Sequence, residues 1–146
     1  MLFAKKMPTL PRLLVVEDEP LVAFDTEHLL SEQGYDVVAT VDRVADAVAV
    51  IEGETAIDLV LVDVNLADGS GLDVAKAAGV RGIPVLFVTG QCPAEAEGLA
   101  IGWLAKPYPH RSLLAAIGAV EAKVAGKPKR RVPHGLRSEE HTSELQ

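Results

Sequence analysis

Residues 59–75, LVLVDVNLADGSGLDVA, decide the fold. Leu59 to Val62 are apolar at every position, as expected of a strand covered by helices on both faces; a half-exposed strand would alternate. Asp63 ends the run, a turn-forming stretch follows, and from Leu72 to Ala78 the pattern is helical. This is one βα unit, and four more can be counted outward from it. Their strands read Leu13 to Val16, Val37 to Thr40, Val85 to Val88 and Trp103 to Ala105; their helices read about Pro20 to Gln33, Arg43 to Glu52, Ala94 to Ala100 and His110 to Ala125. Short apolar strands alternating with helices predict an α/β fold, an open parallel sheet doubly wound by helices.

Local signals sharpen the helices. Pro20 suits a first helical turn, where its missing N–H is not needed, and Gly34 suits a helix C-terminus. Leu113, Ile117, Val120 and Val124 recur at steps of four, three and four, one apolar stripe along the last helix. The fourth helix is weak, because AEAEGLA is barely two turns and Gly98 costs about 1 kcal/mol against alanine. It is expected to be short or partly frayed.

The chain has 146 residues, 49% of them hydrophobic, which suits one domain with a proper core. Its formal charge of −7 argues against a nucleic-acid-binding surface, which needs clustered Lys and Arg. Cys92, the single cysteine, cannot form an internal disulfide, and with no cationic neighbour it reads as an inert thiol. No stretch approaches the roughly 18 to 20 apolar residues of a membrane span, so a cytoplasmic location is expected. Residues 1–11 read as a leader, 12–126 as the domain and 127–136, with KPKRR, as a solvated basic tail. The last ten residues, RSEEHTSELQ (137–146), resemble the in-frame translation of a sequencing adaptor and stand outside the fold reading. Without them 13 Lys+Arg still face 18 Asp+Glu. Whether a native output domain followed Leu136 stays open.

In an open parallel sheet, ligands collect beyond the carboxyl ends of the strands. There the sequence places Glu17, Asp18 and Glu19 after strand one, Asp63 after strand three, Thr89 after strand four and Lys106 after strand five. Gathered acids repel one another and raise their pKa values unless a divalent cation or a lysine compensates. Two or three carboxylates, with room for waters and a phosphate oxygen, suit Mg²⁺. Singly, each residue has a bland reading: Glu17 and Asp18 as helix-dipole partners, Asp63 as a loop cap, Thr89 and Lys106 as strand-end polar groups. Their joint placement, in order after four strands, is what points to a site. His28, His110 and His134 share no metal-ligand spacing.

The segments VVEDEP (15–20), LVLVDVNLADGSGLDVA (59–75), FVTG (87–90) and LAKPY (104–108) resemble those of response-regulator receiver domains, over about Leu13 to Ala125. The resemblance implies a flavodoxin-like (βα)5 fold with strand order 2-1-3-4-5, helices one and five on one face and two, three and four on the other. It implies that Asp63 is phosphorylated by a histidine kinase or a histidine phosphotransfer protein. Asp18, Asp63 and the Asn65 carbonyl would ligate Mg²⁺, Glu17 acting mainly through water, while Thr89 and Lys106 would contact the phosphoryl group. Asn65 and Gln91, two residues beyond Asp63 and Thr89, would flank the path of water to the acyl phosphate and tune its lifetime. Lys106–Pro107 resembles the family's cis peptide, and Trp103 stands where the family carries a switch aromatic. Two departures are visible. Ala67 replaces a frequent proline, which predicts a looser loop, and the span from Thr89 to Lys106 is about a helical turn short, as in the FATGUY subgroup of single-domain receivers that FVTGQC resembles.

The function so implied is a phosphoacceptor switch acting on an output partner the sequence does not name; it catalyses only its own phosphorylation and dephosphorylation. A phosphate sink would use the same pocket. An aspartate-nucleophile phosphatase or dehalogenase would need a second acid two residues after the nucleophile and a cap, but Asn65 stands there and no insertion offers a cap.

Overall fold

The computed structural model describes residues 7–126 and 136–138. The start of the leader, most of the basic tail with His134, and the adaptor-like stretch from residue 139 lie outside the described residues. In chain order the elements are β1 (Arg12–Val16), α1 (Pro20–Glu32), β2 (Asp36–Val41), α2 (Val44–Glu52), β3 (Leu59–Val62), α3 (Gly71–Val80), β4 (Val85–Thr89), β5 (Gly102–Ala105) and α4 (His110–Val124). The strands pair in parallel in the order β2-β1-β3-β4-β5, as the resemblance implies.

Alternation along each strand explains why the strands are apolar at every position. Leu13, Val15, Leu59, Leu61, Leu86, Val88 and Leu104 point to the layer of α1 and α4, packing on Leu30, Leu113 and Ile117. Leu14, Val16, Val60, Val62, Val85 and Phe87 point to the layer of α2 and α3, packing on Ala47, Ile51, Val74 and Ala78. Each fully buried Leu, Val or Ile stabilises the fold by about 1.5–3 kcal/mol. A charge in either layer would be uncompensated, and both core clusters are built of apolar side chains.

Helix α1 begins with Pro20 in its first turn. It ends on Gly34, at φ +94°, where Gly34 N–H donates to Ser31 and Tyr35 N–H to Leu30. Those two bonds are the Schellman pattern, which needs the left-handed backbone that glycine adopts freely.

Three expectations need correction. Between β4 and β5 there is no fourth α-helix over 94–100, only a 3₁₀ turn at Ala94–Ala96. Pro93 precedes the turn and Gly98, at φ +84°, leaves the right-handed region, so no second turn can form. The segment is packed all the same, with Ala96 fully buried. On α4, Leu113, Ile117 and Val120 are buried, but Val124 is 48% exposed and takes no part in the core. The sheet also has a sixth strand, Leu136–Ser138, antiparallel to β5. It spans the junction of tail and adaptor-like stretch. The physical reason is that β5 otherwise ends the sheet, and its N–H and C=O groups pair with any extended main chain.

Candidate functional site

The carboxyl ends of β1, β3, β4 and β5 meet at one edge of the sheet. Hydrogen bonds carry the ladders one residue past the strands: Glu17 N–H donates to Val41 O (2.9 Å), Asp63 N–H to Val16 O (3.1 Å) and Lys106 N–H to Thr89 O (2.9 Å). Each site side chain therefore leaves a backbone that is still part of the sheet. Glu17, Asp63 and Thr89 are buried, Asp18 is half-buried, and Glu19 is exposed. Lys106–Pro107 is a cis peptide bond.

Lys106 is the centre of the site. Its Nζ donates to Glu17 Oε1 at 2.7 Å and Asp63 Oδ2 at 2.9 Å, with Glu19 Oε1 at 3.4 Å. The other oxygens are also held: Glu17 Oε2 accepts from Glu19 N–H (3.1 Å) and Asp63 Oδ1 from Asn65 N–H (3.1 Å). Burial pushes the Glu17 carboxyl up, against the pull of Lys106 and the Glu19 amide. At Lys106 burial pushes the ammonium down, but the bonds to Glu17 and Asp63 outweigh it and the net direction is upward. The two directions agree: burial dominates at Glu17, and two carboxylates dominate at Lys106. Beneath the site, burial pushes the Tyr108 phenol up, partly offset by the Thr26 hydroxyl of α1.

The donor set fits a hard cation. Glu17, Asp18 and Asp63 each present a carboxylate oxygen, and these oxygens lie within 4.8 Å of one another. Three carboxylates share the single Lys106 ammonium, so one lysine cannot neutralise them all. An oxygen-only set of this charge matches a divalent ion that keeps several waters.

Of the residues expected at the site, Glu17, Asp18, Asp63 and Lys106 are brought together. Asn65 joins through its main-chain N–H while its side chain is exposed. Thr89 is fully buried, its hydroxyl donating to Gln91 O at 3.3 Å, and Gln91 is exposed. Trp103 packs half-buried on the α2/α3 core. The loop expected to be loose at Ala67 carries an antiparallel ladder, Asn65 opposite Ser70 and Leu66 opposite Gly69. The Asp68 carboxylate also accepts the N–H groups of Val44 and Ala45. Asp68-Gly69 announces a turn in the sequence, but its partner on α2 has no sequence signal. The pairing of His110 with Asp25 across α4 and α1, at 2.7 Å, was equally illegible.

Comparison with known proteins agrees with this geometry. The profile of the response regulator receiver domain matches residues 13–118. The chain is 38% identical over 79 residues to the phyllosphere-induced regulator PhyR of Methylorubrum extorquens, covering 53% of this chain and 30% of that one. It is 35% identical over 113 residues to the transcriptional regulatory protein DltR of Streptococcus agalactiae, covering 73% of this chain and 50% of the relative. The chain thus spans half or less of the length of these relatives. A CheY-like receiver domain structure from Methanospirillum hungatei superposes with a TM-score of 0.69 at 28% identity, covering 83% of this chain and 98% of that one. A parallel sheet in the order β2-β1-β3-β4-β5, an acid cluster beyond it and a profile match over 13–118 lead to one assignment: the chain belongs to the response regulator receiver domain family.

Proposed function

We propose that Asp63 accepts a phosphoryl group from a histidine kinase or a histidine phosphotransfer protein, and that the domain then changes conformation to control an output partner. The observation that carries this reading is the Lys106 ammonium, 2.9 Å from Asp63 and 2.7 Å from Glu17. It places a fixed positive charge beside a buried carboxylate at the mouth of the sheet, where phosphoryl oxygens would gather. In the transfer, an Asp63 oxygen forms the new O–P bond as the donor's N–P bond breaks, and the released imidazole takes up a proton. A carboxylate suffices as nucleophile because phosphoryl transfer depends mostly on positioning and charge neutralisation.

Glu17, Asp18, Asp63 and the Asn65 carbonyl would hold Mg²⁺, Glu17 through water. When bound, the ion supplies charge that offsets and orients the phosphoryl oxygens. Asn65 N–H and Lys106 hold the two oxygens of Asp63, Thr89 and Lys106 bind the phosphoryl group, and Asn65 and Gln91 govern the approach of water. The chemistry is confined to the domain's own phosphorylation and dephosphorylation. Among the described residues no helix is long and apolar enough to cross a membrane; a cytoplasmic location for the domain is part of this proposal.

The reading is tested by incubating the chain with Mg²⁺ and acetyl phosphate. One acid-stable, base-labile phosphoryl group per chain is expected, and Asp63→Asn should abolish it. Labelling of that variant at the wild-type rate would place the acceptor elsewhere.

A further inference from the structure

Asp68 stands five residues beyond Asp63, at the tip of the loop between β3 and α3. Both oxygens of its carboxylate are committed to another element: Oδ1 accepts Val44 N–H at 2.6 Å and Oδ2 accepts Ala45 N–H at 3.2 Å. These amides open α2, whose own N-cap residue, Arg43, has no side-chain acceptor and makes no cap bond. The cap that α2 lacks locally is supplied from a residue more than twenty positions downstream. The Val44 amide, followed by other main-chain amides and the Arg43 charge, holds the Asp68 carboxyl below the usual carboxylate range.

The loop that carries Asp68 is a stiff unit. Asn65 pairs with Ser70 and Leu66 with Gly69. Its exit is closed by Gly71 N–H on Val64 O at 2.6 Å and by the Ser70 hydroxyl, which accepts Leu72 N–H at 3.0 Å and caps α3. A side chain at Gly71 would collide with the Asp63 carbonyl, so this close approach requires glycine. Its entrance is tied to the site by Asn65 N–H on Asp63 Oδ1. These bonds tie the two ends of the loop to each other and to the site. Asp68 therefore joins α2 to the same small hairpin that presents Asn65 to Asp63.

We propose that Asp68 is a positioning residue for the phosphoryl-acceptor site: by capping α2 it fixes the hairpin that carries the Asn65 carbonyl and the Asn65 N–H bonded to Asp63. This rests on the reading of Asp63 as acceptor beside a divalent ion. Coupling between two sites is reciprocal. An ion that orders the hairpin at Asn65 must therefore also strengthen the cap on α2.

The experiment compares the full chain with Asp68→Ala and Asp68→Asn, using Mg²⁺ alone as the probe. Mg²⁺ affinity is measured by calorimetry, and amide exchange at Val44, Ala45 and Asn65 is followed with and without the ion. In the wild type, Mg²⁺ should slow exchange at Val44 and Ala45. Asp68→Ala should weaken Mg²⁺ binding about three- to tenfold, the scale of one lost cap, and erase the Mg²⁺-dependent protection at α2. Asp68→Asn keeps an acceptor oxygen and should fall between the two, a rescue that mere folding damage would not produce. Wild-type Mg²⁺ affinity in Asp68→Ala, or exchange at Val44 and Ala45 that ignores Mg²⁺ in the wild type, would overturn the proposal. The wild-type exchange measurement stands even if a variant fails to fold. Acetyl phosphate labelling of the wild type separates the two failures: no label defeats the acceptor reading, whereas normal label with insensitive Asp68 variants defeats only the role of Asp68.

Discussion

At the residue scale, one lysine, Lys106, faces several acids. Its ammonium lies within 3.4 Å of three carboxylates, while the acid cluster of Glu17, Asp18 and Asp63 is short of positive charge. Lys106→Ala should therefore have two effects of opposite sign. Phosphorylation by acetyl phosphate should slow at least about tenfold, because a charge aimed at the phosphoryl oxygens is gone. Mg²⁺ affinity should be spared or increased, because one cation has left an acidic pocket. A large loss of Mg²⁺ affinity in a variant that still folds would contradict that sign. The main residues of this pocket were legible because each stands directly after an apolar run, where strand ends are read without knowing the packing. Asp68 and Glu121 were not legible. Their partners lie 23 and more residues away, and no local pattern encodes such a pairing.

At the scale of elements, the segment between β4 and β5 is where the proposed switch would report the state of the site. Thr89 ends β4 with its hydroxyl on Gln91 O, so the first tie of the segment is made by the residue expected to engage the phosphoryl group. A phosphoryl group that claims this hydroxyl must break the tie. The segment holds little regular structure, a single 3₁₀ turn, and Leu99, Ala100 and Trp103 lean half-buried on the α2/α3 core. A segment without a regular helix or strand of its own rearranges at lower cost than the strands it joins. Because Trp103 is the only tryptophan, its fluorescence reads this place alone. Mg²⁺ with beryllofluoride should change Trp103 emission or quenching, together with amide exchange across residues 90–102. Thr89→Ala should suppress the change while sparing metal binding. Silence in both signals from a fully beryllofluoride-bound protein would rule the mechanism out. Composition had already announced the weakness of this element. What it could not announce was that Ala96 would be buried, which depends on the neighbouring core.

For the whole molecule, Glu121 of α4 closes the chain on itself. Its carboxylate accepts Thr9 N–H at 2.9 Å, Leu10 N–H at 3.0 Å and the Tyr35 hydroxyl at 3.3 Å, drawing the segment before β1 and the start of β2 onto α4. Burial, and then the Glu121 charge and hydrogen bond, push the Tyr35 phenol well above its ordinary value. The folded state thus keeps this proton to higher pH than the unfolded chain, whose tyrosine titrates near 10. Stability from this group is complete below about pH 10 and is lost as the pH rises beyond it. Tyr35→Phe should flatten the alkaline limb of a stability-against-pH curve measured by urea unfolding. An equally steep limb in that variant would assign the alkaline loss to other groups.

The sequence by itself determined the α/β class, the strands and the edge at which the site forms. These follow from periodicity and from the fact that a strand buried on both faces must be apolar throughout. It determined the place of Asp63 and Lys106 for the same reason, since polar residues next to such runs can only emerge at strand ends. The tertiary structure alone decided that Lys106 reaches both Glu17 and Asp63, that the fourth helix shrinks to a 3₁₀ turn yet stays packed, and that Asp68 caps α2. Each of these depends on distances between elements remote in the chain, which arise only when two core layers pack on opposite faces of one sheet.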